Sequence, residues 1–197
     1  LCNALQQLGI NNCLHARVLR RREKYADAIE KLSVAWNQLT QALGIAYRTG
    51  WFSGIGDSLS RLAKVYEEIH RVNEFISGRD NEIVNHLGKL KEKAASYEPR
   101  TEVERPHELL LPAIGELDWL GKAARLFELS AFVADEANDF HRALDSLMEF
   151  ARLLIEMERF DLVRLACART DHIKGYDYQT NLFAAMNELT LADLNYE

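Results

Sequence analysis

At 197 residues the chain is long enough for one compact domain or a short run of stacked repeats, and too short for two large domains. Hydrophobic residues make up 48% and charged residues 27%, a balance that excludes both a disordered chain and a membrane-embedded one. The formal charge of -6 argues against a dedicated nucleic-acid binder, whose footprint is a basic face.

Apolar residues recur at three- and four-residue spacing along nearly the whole chain, so the sequence reads as all-α. A first helix is already under way at Leu1, which is not an initiator methionine, and the chain therefore reads as a fragment of a longer protein. That helix runs to the cationic break Arg20, Arg21, Arg22, Glu23 and Lys24. A second carries Ala28, Leu32, Ala35 and Leu39 on one face and ends at Gly50, Gly54 and Gly56, which read as a flexible inter-helix turn. A third carries Leu59, Leu62, Ala63, Tyr66 and Ile69 up to a break near Arg71 and another at Gly78. All three prolines lie between 99 and 112, so 97–106 reads as a long loop and 97–116 as an irregular seam within a single domain spanning 1–197. Later breaks fall at Asp135–Asp139, near Arg159, and at Arg169–Tyr178.

Charge divides unevenly across the seam. Residues 1–98 carry a net +3 and residues 99–197 a net -9, a polarity suited to steering a partner. Cys2, Cys13 and Cys167 are an odd number without CxxC spacing, which points to a reducing, intracellular and most simply cytoplasmic location. No apolar run approaches the length of a membrane span.

Internal repetition is the strongest signal. DSLSRLAKVYEEIHR at 57–71 returns 88 residues later as DSLMEFARLLIEMER at 145–159, with Asp, Ser, Leu, Ala, Glu and Arg coincident and Lys64 exchanged for Arg152. Near the N-terminus Ala16, Leu19, Lys24, Tyr25 and Ala28 keep the same offsets, and Leu111, Ile114, Leu120, Ala123 and Phe127 give a fainter trace. Leu59-x2-Leu62-Ala63-x2-Tyr66 and Leu147-x2-Phe150-Ala151-x2-Leu154 resemble the first helix of a tetratricopeptide repeat, and Ala28-x3-Leu32 and Ala123-x3-Phe127 resemble its second helix. The small residues 16, 63, 111 and 151 are spaced by 47, 48 and 40, longer than the usual repeat, and Leu111 and Pro112 depart from the pattern.

The resemblance implies a right-handed solenoid of three to four helical hairpins, in which Ala16, Ala63 and Ala151 allow helices to cross closely. It also implies a non-catalytic scaffold or adaptor whose first helices line a groove for a protein partner, such as an acidic peptide or helix. Arg17, Arg20, Arg21, Lys64 and Arg152 then face that groove as partner-binding residues. A second resemblance, of Phe127–Phe140 to the third helix of sorting-nexin BAR domains, implies instead a dimer that binds or curves membranes.

Neither a catalytic nor a cofactor or metal site is expected. His107-Glu108 lacks the second histidine of a zinc-protease motif because Leu111 stands in its place, and no lysine follows Gly50–Gly56 to make a phosphate loop. Cys13 and His15 point to different faces of one helix, and Trp36, Trp51 and Trp119 read as core or hairpin-seam residues.

Overall fold

The apolar spacing folds as helix over most of the residues that the computed structural model describes, 1–76, 81–95, 97, 99 and 109–170, and no strand occurs among them. The helices are α1 (Cys2–Arg21), α2 (Tyr25–Thr49), α3 (Phe52–Ile76), α4 (Asn81–Ala95), α5 (Trp119–Glu136), α6 (Phe140–Glu156) and α7 (Phe160–Thr170), with a 3-10 turn at Ile114–Glu116. None of them is long and apolar enough to cross a membrane.

Three connections share one backbone solution. Glu23, Asn138 and Glu158 sit at φ 59°, 57° and 58°, each one residue past a residue that closes the preceding helix. The following N–H reaches back to the helix in each case, Lys24 to Leu19 O, Asp139 to Ala134 O and Arg159 to Leu154 O, at 3.0, 2.8 and 2.9 Å. An aromatic residue, Tyr25, Phe140 or Phe160, then opens the next helix. The left-handed residue reverses the chain in three residues and satisfies carbonyls that a helix end leaves open. Asp139 and Asp118 also cap their helices, accepting from Arg142 N–H and Gly121 N–H. At the end of α2 the left-handed position falls to Gly50, where it carries no Cβ penalty.

The helices pack as neighbours along the chain with one exception. α1 pairs with α2, α3 lies on both, α5 packs along α3, α6 on α5 and α7 on α6; α4 rests chiefly on α2. α5 rather than α4 is therefore the main antiparallel companion of α3. The core runs through Leu32, Leu39, Leu43, Leu59, Leu62, Tyr66, Phe127 and Phe150, all essentially closed to solvent. Tyr66 donates to Ala94 O at 2.9 Å and accepts from Trp36 Nε1 at 3.4 Å, tying α2, α3 and α4 together.

Buried polar groups are matched across the helices. Gln6 of α1 donates to Gly54 O and Ser58 Oγ of α3. The counterpart of Ser58 in the sequence repeat, Ser146 of α6, meets Ser130 of α5, whose hydroxyl bonds Gly56 O of α3 at 2.8 Å. Glu128 of α5, fully buried, accepts from the N–H groups of Leu110 and Leu111 and from Arg125 and Arg169, which fixes the stretch before α5 and the end of α7.

Several expectations change. No break occurs near Arg71, because Val72 and Ile76 are buried and hold α3 helical to its end. Gly54 and Gly56 lie inside α3 rather than in a turn, and Gly54 is where the exposed Trp51 ring lies against the backbone; a Cβ there would stand 2.1 Å from it. Trp51 is thus a surface residue, while Trp36 is core. Leu111 and Pro112 are not helical, so no repeat helix starts there. Most of 97–106, together with Gly78, His107, Glu108 and residues 171–178, lies outside the described residues. Phe127–Phe140 is not one helix: α5 ends at Glu136 and the chain reverses through Asn138. Ala16 and Ala63 are closed to solvent as expected of close crossings, whereas Ala151 is half-buried. Ala63→Leu should accordingly lower stability by about 1–3 kcal/mol through overpacking, and Ala151→Leu by less. Chemical denaturation checks this, and equal effects at the two sites would contradict it.

Candidate functional site

Helices α1, α3 and α6 share one face of the molecule, and the spaces between them join into a groove. One cavity of about 580 Å³ lies between α3 and α6, with Phe127 of α5 beneath, and a second of about 330 Å³ continues it between α1, α3 and α6. Lys64, Glu149 and Arg152 line both, so the two are a single channel. It exists because α3 and α6 scarcely touch each other and are spaced by α5.

The expected partner-binding residues divide within this frame. Arg17, Lys64 and Arg152 line the second cavity together; Arg20 and Arg21 do not. Arg17 Nε and Arg20 Nε both reach Glu68 of α3, at 2.5 and 3.0 Å, and Glu68 is only 2% exposed. Arg20 also lies over the Phe75 ring, 5.8 Å from its centre. Arg152 Nη2 reaches Glu67 at 2.9 Å and its Nε reaches Glu149 at 2.8 Å. Arg71 joins the same cluster through Glu67 and Glu156. Neighbouring carboxylates raise the pKa values of Arg17 and Arg152 against the opposing effect of burial, so both remain charged. Arg21 is exposed at the end of α1.

The groove is therefore mixed in charge rather than basic, and most of its arginines are held inside the protein's own ion pairs. Lys64 is different: among the described residues no carboxylate lies within ion-pair distance of its ammonium. At the other end Asp145 is exposed, and its ion-pair partner among the described residues is His141, at 3.9 Å. Asp57 also lines the groove but is taken up by Arg61 at 2.9 Å. An apolar wall is supplied by α1, where Ile10 and Leu14 line the channel and exposed Val18 continues the row one turn further.

Cys13 sits behind this wall, 2% exposed. Burial, reinforced by the carboxylate of Glu68, pushes its thiol up to about 12, so it is a packing residue rather than a nucleophile.

Sequence reasoning missed Glu67, Glu68, Asp145, Ile10 and Leu14. The signal for Asp145 was present, since Asp57 and Asp145 coincide in the repeat as Lys64 and Arg152 do. The pairing of two consecutive glutamates with opposite neighbours had no such signal, because it depends on the distance between helices.

No known protein family, curated protein or solved structure matches the chain, so its functional reading rests on its own residues.

Two outcomes are expected. Glu68→Gln should destabilise the fold by about 2–4 kcal/mol, since it strips charge compensation from two guanidinium groups, and Arg17→Glu with Arg20→Glu should also destabilise rather than act only on binding. Denaturant titration of each variant measures both. The unfolded Cys13 thiol ionises near 9.0 and the folded one near 12, so the unfolded state gains stability first as pH rises. Stability should fall above pH 9 by up to about 1.4 kcal/mol per pH unit on account of this group, and Cys13→Ala should remove that part of the slope.

Proposed function

We propose that the chain is a non-catalytic scaffold, a short right-handed solenoid of helical hairpins that holds a segment of a protein partner in the groove across α1, α3 and α6. In this reading α1 with α2, α3 with α5 and α6 with α7 are successive hairpins, each first helix facing the groove, and α4 is an excursion carried on α2. The observation that carries it is that Lys64 and Arg152, equivalent positions of the 88-residue repeat, line one continuous groove. The recurring three-residue reversals at Glu23, Asn138 and Glu158 support the same reading.

A groove with an apolar wall and charged rows suits a polypeptide, whose side chains supply apolar anchors and charges at fixed spacing. The scaffold acts inside the cell, where the thiols of its cysteines stay reduced. The membrane-curving alternative drew on Phe127–Phe140 as a single helix, and the reversal at Asn138 leaves it without that support.

Panning a displayed random peptide library against the protein tests the scaffold reading. Leu14→Asp, at a position 49% exposed, should weaken the enriched peptides about 10- to 100-fold without moving the unfolding midpoint. Unchanged affinity of every enriched peptide for that variant would sink the groove as the binding site.

A further inference from the structure

The sequence repeat sets an acid and a base seven residues apart twice over, Asp57 with Lys64 on α3 and Asp145 with Arg152 on α6. All four line the same cavity. Seven residues of helix advance about 10 Å, so each of the two helices carries its acid and its base two turns apart along the groove. Internal pairing then singles out one group from each row. Asp57 is held by Arg61 and approached by Arg142, and Arg152 is held by Glu67 and Glu149. Among the described residues Lys64 has no carboxylate partner, and the ion-pair partner of Asp145, itself 66% exposed, is the His141 ring at 3.9 Å.

We propose that the groove recognises a polypeptide segment bearing both a cation and a carboxylate at a fixed spacing, the cation set against Asp145 on α6 and the carboxylate against Lys64 on α3. This rests on the scaffold reading and adds the chemistry of the partner. A simple acidic peptide satisfies Lys64 but places a like charge against Asp145 and Asp139 at the other end of the channel. A basic peptide fails in the opposite way at Lys64, Arg17 and Arg152. A dipolar segment matches both ends, and it does so in one direction, which fixes the register of the bound chain. An apolar side chain near the carboxylate meets Ile10 and Leu14.

The probe is a library of displayed 16-residue peptides of random sequence, panned in parallel against the wild-type protein, Lys64→Glu and Asp145→Lys. Wild type should enrich peptides with a Lys or Arg and an Asp or Glu at one recurring spacing and in one order. Lys64→Glu should exchange the preferred acid for a base, and Asp145→Lys the preferred base for an acid. In an individual enriched peptide, replacing its carboxylate by alanine should weaken wild-type binding about 5- to 10-fold and leave binding to Lys64→Ala unchanged. Peptides that need Leu14 but show no charge pair, or the same sequences selected by all three proteins, would overturn this inference and leave the scaffold reading standing. A library yielding no sequence dependent on Leu14 would overturn both.

Discussion

Two consecutive buried glutamates on α3 face opposite ways and bind the groove helices together. Glu68 takes Arg17 and Arg20 of α1, and Glu67 takes Arg152 of α6 and its own neighbour Arg71. The apolar core could hold α1 against α2, and α6 against α5, with the groove face open to sliding. The ion pairs set the lateral position of the helices on that face, because a carboxylate taken out of water tolerates no geometry that leaves it unpaired. The groove has its width because these contacts span it at fixed points.

This arrangement also decides which charges remain for a partner. An arginine already bonded to an internal glutamate offers little to an incoming carboxylate, since displacing it exposes a buried charge. What is left is the part of the charge pattern that the internal pairs do not absorb: Lys64 at one end and Asp145 at the other, with the apolar row of α1 beside them. A feature that reads in the sequence as a basic binding surface is in the structure chiefly a device for positioning helices. The binding capacity proposed for the groove rests on what that device leaves over.

The helical character and most helix limits were legible because they follow from local rules. The spacing of Leu59, Leu62, Tyr66 and Ile69 defines the buried stripe of α3, and the polar cluster at Asp135–Asp139 marks a true reversal. Two positions matched in the sequence repeat, Lys64 and Arg152, line the same groove between α3 and α6. What escaped the sequence was tertiary. Gly54 reads as a turn but sits in a helix against an indole, and Arg71 reads as a helix end but is followed by more helix in which Val72 and Ile76 are buried. The pairing of Arg17 with Glu68 crosses 51 positions of chain, and local pattern carries no information on which of several nearby carboxylates an arginine will reach. The insertion of α4 between α3 and its companion α5 was hidden for the same reason.

The central claim is that Glu68 is energetically coupled to α1 across the helix interface. A double-mutant cycle on Arg20 and Glu68, with stability measured by urea unfolding of the wild type, Arg20→Ala, Glu68→Ala and the double variant, addresses it most directly. A coupling of about 1–3 kcal/mol is predicted for this short, largely desolvated pair. Additivity to within about 0.3 kcal/mol would contradict it and would mean that the groove helices are positioned by apolar packing alone.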